Sequence, residues 1–532
     1  MIDAPMNAEE PSGPPRSLPA KLEAYLTDAV KAFTAALLLG IVLVISWQVI
    51  ARYLPGIRVP RWTEEISLIL MVWLSMLGSG LAVRAGEHLA VDVIVRQFPA
   101  AFRRLFMRAI WLLVAVFGIY LALYGWELSS RTMMQTFAAT KLPVGWMYMG
   151  IPLGGLLVAF YALRNALARP ELPTAGLIPR HSWLLRVSLL VAVGVIFAGG
   201  IALFGWETLT GPVGILLGSL ALMIFLGVPI AIALGVASLV TAFAIGLPPL
   251  IVAQRMANGI NSTPLLAIPF FILAGMIMAE GGIAQRLVDF ARVLVGPTRG
   301  GLAMVNVVSS MLFGGASGSA VADVSANGSI LIPMMKKQGY DTDFSVGITV
   351  ASSVQGIIIP PSHNAVIYSL AAGGVSISAL FLGGYIPGIM IGLSLMVASY
   401  ILALKRGYPS DVRPPLRDSL RISFIAIPAL AVGFVIVGGI AFGFFTATEA
   451  AAIGAVMAFF VATLIYRELS LQKLWQATLQ SVRTISIVIF LIAAASAFAW
   501  LMAYLRIPSM LAAGLLAVTD NPILLLLMIN LM

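Results

Sequence analysis

The sequence predicts an all-α polytopic membrane protein with an internal repeat and a re-entrant hairpin, and three observations predict it. Hydrophobic residues make up 60% of the 532 residues and charged ones 10%, against roughly 25% charged in soluble domains. Lys and Arg cluster between about a dozen apolar stretches of near-spanning length, as orientation signals do. The net charge of +10 is therefore a topology signal and not a nucleic-acid signature. Third, the pattern of apolar runs starts again in the opposite orientation after Ile422, shifted by roughly 220 residues.

The chain contains no cysteine, which excludes a disulfide framework and a thiolate metal site. His88, His181 and His363 are too scattered for metal-ligand spacing. An enzyme needs a nucleophile–base pair or a metal cluster, and the sequence offers neither. A channel needs a ring of selectivity groups, and the inverted repeat argues against it.

In chain order, residues 1–20 are polar, Pro-rich and partly acidic, and read as a disordered cytoplasmic tail. Residues 21–169 form a four-helix unit with few intramembrane polar groups, which suits a scaffold. Within it, Thr63 is expected to cap the second helix, with Glu64 and Glu65 at its positive end. Trp62 reads equally as an interfacial residue or part of a docking surface. A charged loop from Arg84 to Arg108 follows the second span. Residues 170–210 give a linker and one connecting span, 187–206.

A second, larger unit begins near Gly211. Its first repeat, 211–420, contains a span with Pro269 inside it, an amphipathic piece at Ile283–Val295, and then the stretch 300–337. Basic residues stand at both ends of that stretch (Arg299; Lys336 and Lys337), so both ends belong on one side of the membrane. A single helix of this length would run roughly 55 Å, well past a ~30 Å hydrocarbon core. Its middle is crowded with Gly314, Gly315, Ser317, Gly318, Ser319, Asp323 and Asn327, which lipid does not tolerate. The reading is two half-helices joined by a tip at mid-membrane depth, the place where carriers hold ions and substrates. Asp323 is either a functional carboxylate or a structural one capping the second half-helix. Next, Gly356, Pro360 and Pro361 break a further membrane helix, and two prolines in a row remove two backbone donors. Ser362, His363 and Asn364 add polar groups beyond the break. The second repeat, 421–532, has spans near 424–442, 449–465 and 484–505, with Arg483 at the start of the third. It stops where its own hairpin should begin, roughly 80 residues short of the first repeat's pattern, so a fragment is expected.

LLAIPFFILAG (265–275), SMLFGGASGSAVAD (310–323), GSILIPMM (328–335), GIIIPPS (356–362) and LFLGGYIPG (380–388) resemble the large permease subunit of tripartite ATP-independent periplasmic (TRAP) transporters. Arg52-Tyr53, WTEE (62–65) and Arg84 through Asp92 are similar to the small subunit, so the two resemble a fused pair. The resemblance implies an elevator-type symporter of the bacterial inner membrane, with a cytoplasmic N-terminus. Its cargo would be an organic acid anion, supplied by an extracytoplasmic solute-binding protein and driven by sodium. Membrane lipid would surround it, with no nucleic acid, no cofactor, and Na+ as the coupling ion. By the resemblance, Ser317, Ser319, Asp323, Gly356, Ile359 and Pro361 would bind sodium. Gly318, Asn327, Ser362 and Asn364 would serve the substrate, partly through half-helix N-termini. The alternative is a stand-alone sodium–dicarboxylate symporter, against which the appended four-helix unit speaks.

Overall fold

The computed structural model describes residues 18–86, 100–168, 211–411 and 414–531. The tail, the loop carrying His88, Asp92 and Arg96, and the connecting span 187–206 lie outside them. Among the described residues all regular elements are helical. Nine helices among the described residues are long and apolar enough to cross a membrane, or ten if one bent pair counts as a span.

The first unit comprises α1 (Leu18–Tyr53), α2 (Trp62–Ala85), α3 (Ala100–Thr132), the short α4 (Val144–Tyr148) and α5 (Gly150–Leu167). α5 packs against both α2 and α3, and α1 against α2. The core is large and apolar: Phe117, Tyr161, Leu74, Met76 and Leu121 are fully buried. α3 and α5 approach closely because Gly118 and Gly155 face each other; a Cβ on Gly155 would sit 2.7 Å from the Gly118 carbonyl oxygen. Thr63 does not cap α2, contrary to expectation. The N-cap is Arg61, so Thr63 already lies in the helix, and its hydroxyl donates to Pro60 O and Gln48 Oε1 at 2.8 Å each. Glu64 and Glu65 do occupy the first turn. Glu65 accepts the backbone N–H groups of Ala139 and Thr140 and the Thr140 hydroxyl, pinning the α3–α4 connection.

The second unit opens with α6 (Pro212–Phe225) and α7 (Ile230–Ala244), separated where Gly227 adopts φ +78° before Pro229. α8 (Leu250–Ile260) leads through a 3-10 turn (Thr263–Leu266) into α9 (Ala267–Glu280). Pro269 therefore falls in the first turn of α9, where its missing N–H costs no helical bond, and not in a helix interior. The amphipathic α10 (Ile283–Val295) buries Ile283, Ala284, Leu287, Val288 and Ala291. Then come α11 (Gly301–Ser317), α12 (Ala320–Lys337), α13 (Thr342–Ser353), α14 (Gln355–Ile358), α15 (His363–Ala371) and α16 (Ile377–Arg406). The remainder is α17 (Leu416–Ala441), α18 (Ala447–Phe460), α19 (Leu471–Tyr504), α20 (Ile507–Val518) and α21 (Pro522–Leu531). Arg483 is not at a helix start: α19 begins at Leu471, after a Ser470 cap, because the polar segment before 484 is already helical.

The two units are fastened through α19, α8 and α18, against which α2, α3 and α1 pack. The Phe117 ring fills the notch left by Gly235, where a Cβ would lie 2.3 Å from its tip. Tyr120 donates to Pro249 O at 2.8 Å, and Arg52 pairs with buried Glu449 at 2.5 Å.

Candidate ion and substrate site

α11 and α12 run antiparallel. Leu302 and Met335 share one buried cluster and Val305 and Leu331 another, while Asn327 reaches Ser310 near the turn. At the tip, Gly318 adopts φ +63°, a conformation glycine accepts without steric cost. Its N–H donates to Gly314 O at 2.9 Å, closing α11. Ser319 is the N-cap of α12, its Oγ accepting from Ala322 N–H at 3.3 Å. The cap of the second half-helix is thus Ser319 and not Asp323. Ser317 Oγ accepts the Ser319 N–H at 3.4 Å.

The second broken element is the α13–α14 helix followed by α15, bent by 52°. The turn from Ile359 to Ser362 carries both prolines. Ser362 caps α15, accepting from Ala365 N–H and donating to Ile357 O at 2.5 Å. Tip and break therefore each present a helix N-terminus headed by a serine.

The two breaks meet backbone to backbone. A Cβ on Gly314 would lie 2.4 Å from the Gly356 Cα, and one on Gly318 would lie 2.5 Å from the Pro361 carbonyl oxygen. Gly384 and Gly388 of α16 press on Ile358 O and the Ile359 side chain, and Gly275 of α9 on Ser317. Ser317, Gly318, Ser319, Gly356, Ile359, Pro361 and Ser362 accordingly come together in one buried junction. Hydroxyl and carbonyl oxygens are hard donors suited to a hard cation.

Asp323 and Asn327 lie one and two turns further along α12, both fully buried. Asn327 donates to Asp323 Oδ1 at 2.5 Å. Asp323 Oδ2 and Asn327 Oδ1 have no hydrogen-bond partner among the described residues. Asn364, in the first turn of α15, is exposed. Sequence reasoning missed Asn306, Ser310, Thr349 and Ser352, all buried and hydrogen-bonded across helices. The signal was available as i, i+3 and i, i+4 spacing of polar residues inside apolar helices. Sequence reasoning also left Gln355 out; it is buried beside the break with neither amide atom paired.

Two broken helices meeting inside a polytopic helical protein define a membrane carrier. The comparisons with known proteins narrow this. The model of the tripartite ATP-independent periplasmic transporter DctM component matches residues 217–532, and that of the DctQ component matches residues 41–170. The isethionate TRAP transporter permease protein DctMQ of Oleidesulfovibrio alaskensis is 33% identical, aligned over 99% of this chain and 82% of its own length. The sialic acid TRAP transporter permease protein SiaT of Haemophilus influenzae is 32% identical over 88% of this chain and 77% of its own. The uncharacterized protein YgiK of Salmonella typhimurium is 43% identical over 60% and 74%. The chain belongs to the TRAP transporter permease family, with DctQ and DctM components fused. It is a multi-pass membrane transport permease and not an enzyme.

Proposed function

We propose that the protein imports an organic acid anion by sodium symport, receiving it from an extracytoplasmic solute-binding protein. Relatives named for isethionate and for sialic acid support an acid carrying a single strong anionic group or more. Ser317, Ser319 and Asp323 with backbone oxygens of Gly356, Ile359 and Pro361 are the proposed sodium ligands. Gly318, Ser362, Asn327 and Asn364 are the proposed substrate contacts, with the α12 and α15 N-termini facing the carboxylate or sulfonate. Transport moves the hairpin and broken helix as one body against the first unit and α19, an elevator motion, with the N-terminus cytoplasmic.

The observation that carries this reading is the backbone contact of hairpin tip and helix break at Gly314–Gly356 and Gly318–Pro361. It gathers hydroxyls and carbonyls freed by both breaks at one place. The test is uptake into proteoliposomes with a panel of organic acids, with and without the cognate binding protein, under a sodium gradient. Uptake that needs both the protein and sodium supports it. Uptake without the binding protein favours a stand-alone symporter, and uptake indifferent to sodium removes the ion site.

A further inference from the structure

Contact between tip and break is Gly314 on Gly356 and Gly318 on the Pro361 carbonyl, which sets how near the two backbones lie and does little to stop one sliding along the other. Something lower must fix the register, because α13 and α15 are not one continuous helix. Below the tip, side chains cross between these elements at Ser310 and, one turn further from the tip, at Asn306. Its Nδ2 donates to Thr349 Oγ1 at 2.7 Å and its Oδ1 accepts from Ser352 Oγ at 2.9 Å. Both bonds are directional, lie in fully buried surroundings, and tie α11 to α13 in one register only. Ser310 extends the link, donating to Ser352 Oγ at 3.2 Å and accepting from Asn327 of α12 at 3.4 Å. One hydrogen-bonded chain thus joins both hairpin arms to the broken helix. In low-dielectric surroundings such a chain holds geometry firmly, and breaking it strands buried polar groups.

We propose that Asn306, acting through Thr349 and Ser352, is a positioning residue for the cation site: it holds the tip hydroxyls of α11–α12 and the carbonyls after α13 in a single arrangement. This rests on the sodium reading above. Asn306 touches neither ion nor substrate; it sets how far apart the ligands stand, and therefore which cation fits.

The test uses the purified full chain in detergent, with thermal unfolding followed against sodium and, separately, lithium concentration. Asn306→Leu and Thr349→Val are expected to raise the sodium concentration for half-maximal stabilisation about tenfold, the usual scale for residues that orient metal ligands. Both should also change the lithium-to-sodium preference. Thr349→Ser keeps the hydroxyl and should restore wild-type values. A residue that only stabilises the fold would lower the sodium-free midpoint and leave half-saturation and ion preference alone, and that result overturns the proposal. Should Asn306→Leu fail to fold, the Val and Ser variants of Thr349 decide: equal sodium dependence in the two overturns it as well. Ser317→Ala separates the failures. If it shifts sodium dependence while Thr349→Val does not, the positioning role is wrong and the ion site stands; if it shifts nothing, the ion site itself is wrong and the positioning role falls with it.

Discussion

The first unit and the hairpin both pack helices inside a membrane, and they differ in how much of that packing is polar. In α1, α2, α3 and α5 the buried hydroxyls mostly turn back on their own helix: Ser75 to Val72 O, Ser79 to Met76 O, Thr34 to Val30 O. Contacts between helices are mainly apolar side chains and the close Gly118–Gly155 approach, with a few polar crossings such as Thr27 to Tyr161 and Thr63 to Gln48. In the hairpin and broken helix, polar side chains bond across helices, and the backbones touch through glycine. Lipid tails are as apolar as leucine, so a membrane scaffold rests mainly on close packing. Cross-helix polar groups carry a desolvation cost, so a scaffold uses them sparingly. The proposed ion and substrate site lies where they are concentrated.

The contrast is broken most sharply by topology. Arg299→Cys and Lys337→Cys should both label with an impermeant thiol reagent from the cytoplasmic side only, an all-or-none outcome. Labelling from opposite faces would turn the hairpin into a spanning helix and dissolve the site.

Next in size are paired glycine substitutions. Gly314→Ala places a Cβ 2.4 Å from the Gly356 Cα, and Gly155→Ala places one 2.7 Å from the Ala122 nitrogen. Each overpacks a backbone contact that cannot give, at a cost of about 1–3 kcal/mol. Gly314→Ala is expected to abolish sodium-dependent stabilisation, because it pushes tip from break. Gly155→Ala should lower the thermal midpoint and leave sodium half-saturation unchanged. The reverse pattern in the two proteins would make the distinction between scaffold and site untenable.

Composition made the fold class legible, and the crowd of small and polar residues between Gly314 and Asn327 made the hairpin legible, since no spanning helix could hold them. The double proline gave the second break. Cap positions were harder to read. Thr63 and Ser319 show why: a hydroxyl caps only if its backbone is extended, and sequence cannot fix that to one residue. The network around Asn306 was not read because its partners are 43 and 46 residues away, a pairing that only the packing of α11 on α13 defines. Asp323 was recognised as exceptional from its depth, while its neighbour relation to Asn327 follows from helical spacing and went unused.

A smaller effect separates the joint between the two units from the site. Glu449 is buried and forms a capping box with Thr446 as well as the pair with Arg52. Glu449→Ala should lower stability by about 1–2 kcal/mol, because the bonds its carboxylate accepts from Thr446 are lost. Arg52→Ala, at a half-exposed guanidinium, should cost under about 1 kcal/mol. Neither should alter sodium half-saturation. A change in it from either variant would mean that the joint between the units is coupled to the ion site.

The smallest expected effect lies at the base of the hairpin unit, away from its tip. Asp341 accepts from the Tyr408 hydroxyl at 2.7 Å and from Arg406 at 2.8 Å, beside the stacked Tyr340 and Tyr408 rings. The Tyr408 hydroxyl, aided by Arg406, holds its carboxyl below the usual aspartate range. A depressed carboxylate contributes stability that is fully present above the unfolded value, about 3.9, and is lost as pH falls through the folded one. The difference in thermal midpoint between wild type and Asp341→Asn should therefore be small, constant from about pH 8 to pH 5, and should close only below about pH 4. It is small because the pair is largely exposed to water, which screens it. A difference that closed between about pH 7 and pH 5 would have to come from another group with a higher pKa, since an unperturbed aspartate is still ionised there. Asp341 would then not be what fastens α13 to the segment after α16, and the base of the hairpin unit would be held by the aromatic stack, the Arg292–Asp411 pair and the bonds of Gly300 and Tyr340 to Pro409 O.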